Sequence, residues 1–247
     1  MVKMKKITAI VQARLGSSRF KKKILKKVNN QELILFLISK LKLCVNIKDI
    51  IVAIPKSRQN DFLYKLLEEN SIKVFRGSEE NVLKRYYECA KKNKLNHILR
   101  ITSDCPLIDT KMIDFMAKIY SKKNYDYYSN ILHRSFPVGM DAEFFSFKSL
   151  EKCFNNAISK HDKEHVTKYM QRSPLFKKGN LKYKHNLSDL RITLDYKEDY
   201  ELIKKIILKS KVRNISLLDI LKFYKKNPQL FIKNKKVVSK YEQKNNL

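Results

Sequence analysis

Asp104 closes the run RITSD and Asp195 closes the run RITLD; in each, a carboxylate stands where an apolar stretch gives way to a polar turn. Residues leaving the carboxyl edge of a sheet face the crevice where α/β folds take their ligands. Pro106 fixes the chain's exit after Asp104. Near the amino terminus, QARLGSSRFKKK supplies Gln12, Arg14, Gly16, Ser17, Ser18, Arg19, Lys21, Lys22 and Lys23. Backbone N–H groups of a Gly-Ser turn cradle phosphate oxygens, and Arg14, Arg19 and Lys23 can offset the charge of a triphosphate. Two carboxylates plus a cationic phosphate loop are what a Mg2+–nucleotide site requires. The loop carries neither GxxxxGK[ST] nor GxGxxG, which sets aside P-loop ATPase chemistry and that of a typical dehydrogenase.

The chain has four glycines, and three of them, Gly16, Gly77 and Gly139, sit in short polar segments beside apolar runs. In so glycine-poor a sequence, each is a candidate for a position of positive φ or of close ligand approach, with a simple turn as the alternative reading. His161 and His165 stand one helical turn apart, but no third zinc ligand accompanies them. His165 reads either as a base or acceptor contact or as a helix histidine packed on Tyr169. Cys105 adjoins Asp104 with no activating base pattern and reads as small buried filler. The four cysteines include no CxxC pair, which argues against a zinc site or a disulfide framework and for a reducing cytoplasm.

These residues need a scaffold, and the periodicity supplies one. Buried strands are expected at residues 6–12, 49–55, 72–78 and 97–104, with helices at 31–43, 60–70, 79–93 and 109–121. That alternation indicates an α/β fold, a mostly parallel central sheet with helices on both faces. Further on, strands are expected at 125–130, 142–147 and 190–195, and helices at 149–158, 161–171, 200–208 and 216–224. No repeat or Pro/Gly/Ser linker divides the chain, so residues 1–232 read as a single domain. Residues 130–188 form an inserted or lid-like part, and 233–247 a frayed, Lys-rich tail.

Length and composition bound the rest. The 247 residues are 43% hydrophobic, enough for a packed core. The apolar run at 7–11 is too short for a signal-peptide core, and no apolar run is long enough to span a membrane. The net charge of +30 invites a nucleic-acid reading. However, ten of the 54 basic residues are Arg and the others Lys, and Lys, Asn and Ile abound while Gly is scarce. That profile follows from drift toward A/T-rich codons, which places lysines on solvated faces. The positive field still draws polyanions such as nucleoside triphosphates.

In order along the chain, QARLGSSR, FRGSEENVLKRY, RITSDCPLID, FPVGMDAE, KEHVTKY and RITLDYKEDYELI resemble the cytidylyltransferases. The resemblance is to the spore-coat polysaccharide biosynthesis (SpsF-like) type, related to the enzymes that make CMP-linked acylneuraminate and 3-deoxy-manno-octulosonate. It spans residues 6–232. It implies a Rossmann-like nucleotide-diphospho-sugar transferase fold, CTP and an acidic sugar as substrates, and Mg2+ as cofactor. By position, Gln12, Arg14, Gly16, Ser17, Arg19 and Lys23 would contact CTP, and Asp104 and Asp195 would hold the metal, with Asp199 following in a D-x-x-x-D segment. Arg76, Ser78, Arg85 and Arg100 fall near the nucleotide or acceptor, and Gly139, Asp141, Glu143 and His165 on the sugar side. Such enzymes are often homodimers. The chain departs from the family pattern twice: Phe20-Lys21-Lys22-Lys23 replaces Leu-Pro-Gly-Lys, and Asn81 replaces an Asp before Val-Leu-x-Arg. Two other readings compete: a glycosyltransferase of similar fold that consumes a nucleotide-sugar, and a basic nucleic-acid-binding protein.

Overall fold

The computed structural model describes residues 4–210, 212 and 214–244, with backbone alone for 237–244. β1 (Ile7–Gln12) leads through a turn of 3₁₀ helix (Lys23–Leu25) into a hairpin of β2 (Lys27–Val28) and β3 (Gln31–Glu32). The hairpin's turn residues, Asn29 and Asn30, have φ of 50° and 60°, the left-handed pair that a two-residue loop demands and asparagine tolerates. Then α1 (Leu33–Leu41), β4 (Ile47–Pro55), α2 (Asp61–Glu69), β5 (Lys73–Gly77), α3 (Val82–Lys92), β6 (His97–Thr102) and α4 (Thr110–Lys122) alternate. β7 (Tyr127–Ser129), β8 (Glu143–Ser146), α5 (Phe147–Asn156), α6 (Lys160–His165), α7 (Lys168–Arg172) and β9 (Lys178–Asn180) follow. α8 (Lys197–Lys209), α9 (Leu217–Lys226) and α10 (Pro228–Lys244) come last.

Seven strands form one sheet in the order β5-β4-β1-β6-β8-β7-β9. β5, β4, β1 and β6 are parallel, and β8 is antiparallel to both of its neighbours. Side chains alternate across the sheet, as strand geometry dictates. Ile7, Ala9 and Val11 pack with Leu37, Leu63, Ile113 and Ile203 from α1, α2, α4 and α8. Ile10, Ile51 and Ala53 pack with Leu83, Leu150 and Met170 from α3, α5 and α7. With both faces covered, the inner strands read as continuous apolar runs. Each such buried Ile or Leu contributes roughly 2 kcal/mol. Because the four parallel strands point one way, the loops after β1, β5 and β6 gather at one edge.

The α/β architecture is as the periodicity predicts, and four local features differ. Residues 190–195 form no strand: Arg191 makes a lone bridge to Val138, and the segment is an extended seam with Ile192 N donating to Val138 O (2.8 Å) and Leu194 N to Asp104 O (2.8 Å). Residues 130–188 are built into the sheet through β8 and β9. The helix expected at 161–171 is broken between α6 and α7, where Val166 has φ 58°, a costly conformation for a β-branched residue. The expected frayed tail is helical as far as Lys244; Phe231 is buried against Phe223 and Tyr224, and 245–247 lie outside the described residues. Among the described residues, no helix is long and apolar enough to cross a membrane.

Candidate active site

The loop after β1 is held from below: Ala13 N donates to Ala53 O (3.2 Å), and Leu15 N to the buried Asn60 Oδ1 (2.9 Å). Lys22 then takes φ 52°, ψ 32° and starts the 3₁₀ turn. This is the position where the resembled family carries glycine, and here a lysine takes the left-handed backbone. The turn brings Lys23 back over the sheet edge. Its Nζ lies 2.8 Å from Asp195 Oδ1 and 3.4 Å from Asp104 Oδ2. Arg19 Nη2 reaches Asp195 Oδ1 at 3.1 Å, and Arg191 Nη2 reaches Oδ2 at 3.1 Å. Two carboxylates remote in sequence thus share one ammonium group. Burial disfavours charge on Asp195, but Lys23, Arg19 and Arg191 outweigh it and hold its pKa below the ordinary value.

A cleft of about 320 Å³ opens over this cluster. Among the residues predicted from sequence, Gln12, Arg14, Ser17, Arg19, Lys23, Arg85, Arg100, Asp104, His165 and Asp195 line it. Several of their polar atoms are unsatisfied. Gln12 Oε1, Arg85 Nε and Arg100 Nε are buried without a hydrogen-bond partner among the described residues, a state native structures seldom leave unexplained. Arg85 is 2% exposed; its Nη1 donates to Ser78 O, yet no carboxylate pairs with it among the described residues. Burial, with Arg14 nearby, lowers its pKa. Arg14 likewise has no ion-pair partner among the described residues. Two guanidinium groups without an ion-pair partner among the described residues, at one cleft, suit an anionic ligand. His165 is held below its ordinary pKa, first by burial and then by His161, so it presents a neutral imidazole at pH 7.

Other predicted residues stand outside the cleft lining, each for a visible reason. Glu143 is 1% exposed and sits in β8 as the ion-pair partner of Arg100. It also accepts from Thr167 Oγ1 at 2.6 Å. It therefore holds Arg100 from beneath and is not among the residues lining the cleft. Gly139 has φ 103°, and a Cβ there would lie 2.5 Å from Thr193 N; it lets the 190–195 seam pass. Asp141 is clamped by both guanidinium nitrogens of Arg134, at 2.7 and 2.8 Å. Arg76 is paired with Asp61 at 2.6 Å, and Ser78 Oγ accepts from Asn81 N at 3.1 Å. Gly16 is in the loop without lining the cleft. Gly77 leaves room for Arg85, whose Cγ a Cβ would approach to 3.0 Å. Asn81 caps α3, accepting from Lys84 N at 2.8 Å; an amide does this as well as a carboxylate. Cys105 is buried and its thiol pKa is pushed well up by burial, which removes it as a nucleophile.

Sequence reading missed Arg191, the bridge between Asp195 and Asp199. The R-x-x-x-D-x-x-x-D spacing in RITLDYKED was the available signal. It also missed Glu164, which lines the cleft beside His165. The donor set suits Mg2+. Asp104 and Asp195 converge on one cation, and Mg2+ takes one or two carboxylates and fills its shell with water and phosphate oxygens. Among the described residues, no group of three or more His, Cys, Asp or Glu offers a self-contained metal cage.

A family model described as Cytidylyltransferase matches residues 8–241. The chain is 35% identical over 228 residues to an uncharacterised protein of Methanocaldococcus jannaschii, covering 91% of this chain and 93% of that one. It is 29% identical to the spore coat polysaccharide biosynthesis protein SpsF of Bacillus subtilis, covering 91% and 96%. The structure of a cytidylyltransferase from Leptospira borgpetersenii superimposes with a TM-score of 0.88 at 30% identity, over 92% of this chain and 97% of that one.

Proposed function

This chain belongs to the cytidylyltransferase family, and we propose that it transfers CMP from CTP to an acidic, nonulosonate-like sugar, releasing pyrophosphate, for surface polysaccharide or glycoconjugate synthesis. The observation that carries the reading is the meeting of Asp104 and Asp195 on Lys23 in the same cleft as Arg14 and Arg85. An acidic acceptor suits a cleft whose Arg14 and Arg85 have no ion-pair partner among the described residues, and the relative SpsF is named for polysaccharide biosynthesis.

In this reading the triphosphate lies over the loop after β1, where Arg14, Arg19 and Lys23 offset its charge. Asp104 and Asp195 would hold Mg2+, which when bound neutralises phosphate charge and lowers the pKa of a nearby hydroxyl. A sugar hydroxyl attacks the α-phosphorus in line. The new O–P bond forms as the bond to the β-phosphate oxygen breaks, and pyrophosphate leaves with that electron pair. Arg100, fixed by Glu143, and Arg85 supply preorganised positive charge to the acceptor side, so catalysis is chiefly positioning and electrostatics. His165, neutral at the rim, contacts the acceptor.

The test is a matrix of nucleoside triphosphates against acidic and neutral sugars, read by pyrophosphate release with Mg2+ present. CTP with an acidic sugar should give turnover well above the other pairs. Turnover with neutral sugars alone would overturn the acceptor assignment, and none with CTP would overturn the reading.

A further inference from the structure

We propose that Asn234, on the C-terminal helix α10, and Arg191 are positioning residues for the Asp195 carboxylate, so that α10 completes the reaction site through a relay of side chains. The inference rests on Asp195 being a reaction-site carboxylate. At its centre is Asp199, 1% exposed, in the first turn of α8. Asp199 Oδ2 accepts from the backbone N of Asp195 (2.8 Å) and of Tyr196 (2.9 Å), winding the chain that carries Asp195 back onto the helix. Arg191 donates from Nε to Asp199 Oδ1 (3.1 Å) and from Nη2 to both Asp199 Oδ2 (3.0 Å) and Asp195 Oδ2 (3.1 Å). Asp195 Oδ1 is thereby left to face Lys23 and Arg19.

Asn234 Nδ2 supplies the remaining donor, at 3.1 Å from Asp199 Oδ1. Asn234 is 4% exposed, and its Oδ1 has no hydrogen-bond partner among the described residues. A buried amide with an unsatisfied oxygen costs about 1–3 kcal/mol, and a leucine would fill that site of α10 without the penalty. What asparagine adds is a neutral donor that stops the Asp199 carboxylate from turning. Without it, Asp199 Oδ1 keeps Arg191 Nε as its one donor among these, the hold on the Asp195 and Tyr196 amides loosens, and the Asp195 carboxylate is aimed less firmly. Outer partners of this kind typically change activity or metal affinity by 10- to 100-fold.

The experiment uses the full-length chain carrying Asn234→Leu and, separately, Arg191→Lys, which keeps the charge but cannot span both carboxylates. Three quantities are read: thermal unfolding, hydrogen exchange of the Asp195 and Tyr196 amides, and kcat and KM for CTP by pyrophosphate release. In folded variants, exchange at both amides should accelerate and kcat should fall about 10- to 100-fold, with KM for CTP within about threefold. A folded variant with unchanged exchange, or with unchanged kcat where the parent enzyme is active, overturns the proposal. If Asn234→Leu does not fold, Arg191→Lys decides by the same criteria. A parent chain inactive with CTP refutes the proposed function instead, and the exchange data still judge the positioning.

Discussion

Replacing Lys23 with methionine should separate metal binding from turnover. The Nζ of Lys23 occupies the space between Asp104 and Asp195, 3.4 and 2.8 Å from their oxygens. A divalent cation binding there must first displace that ammonium. At an effective dielectric near 20, two unit charges about 3 Å apart interact by roughly 5 kcal/mol. Water reduces this, since the Asp104 side chain is 30% exposed and that of Lys23 12%; a net cost of about 1–2 kcal/mol lies between the ~1 kcal/mol of an exposed pair and the ~1.5–3 kcal/mol of a hydrogen bond to a charged group. Each 1.4 kcal/mol is about tenfold in affinity, so Lys23→Met should tighten nucleotide-free Mn2+ binding by about five- to thirtyfold. The same variant should release pyrophosphate from CTP about a hundredfold or more slowly, because it lacks a phosphate cation. The assay is Mn2+ titration followed by electron paramagnetic resonance, with turnover measured in parallel. Unchanged or weaker Mn2+ binding would refute the idea that Lys23 and the metal compete for one pair of carboxylates.

Three further outcomes follow from other parts of the structure. Lys22 holds φ 52°, which costs a non-glycine residue roughly 1–2 kcal/mol; Lys22→Gly should gain about 0.5–1 kcal/mol after the entropy of glycine is counted, read as a higher urea midpoint. Glu143→Gln leaves the buried Arg100 without a counter-charge and should cost about 3–5 kcal/mol in the same measurement; a loss below about 1 kcal/mol would remove Glu143 as the partner that fixes Arg100. His165 has its folded pKa lowered by burial and by His161, so between that value and about 6.5 the unfolded chain binds more protons. Its contribution is complete above about 6.5 and is lost as pH falls through the folded value, so His165→Asn should flatten the acid-side decline of stability measured between about pH 5 and 7.

What could be read from the sequence was what depended on local pattern. The four parallel strands announce themselves as apolar runs because both sheet faces are covered. Asp104 and Asp195 are visible because each ends such a run. The pairing of Glu143 with Arg100 was not legible because nothing local distinguishes an acid at a strand's start from one lining a cleft; it is set across the β6–β8 pair, where Arg100 and Glu143 are in register. Asn234 was hidden for a related reason. It lies among lysines that make the tail look solvated, and only the packing of α10 on α8 brings it to Asp199. Side chains whose partners come from distant elements leave no periodic trace.

The arginines carry a signal that the net charge conceals. With 54 basic residues and ten arginines, lysine is the default cation of this chain. Among the described residues, every arginine but the exposed Arg58 either forms an ion pair or lines the cleft. Arg19, Arg76, Arg100, Arg134, Arg172 and Arg191 each form an ion pair. Arg14 and Arg85 line the cleft, and no carboxylate pairs with either among the described residues. Drift toward lysine is tolerated where a point charge on a flexible stem serves, and not where a planar, forked donor must meet two oxygens or sit buried. Arg14 and Arg85 are therefore more informative than their charge: at the rim that Asp104 and Asp195 share, their planar, forked donors suit the oxygens of an anionic ligand.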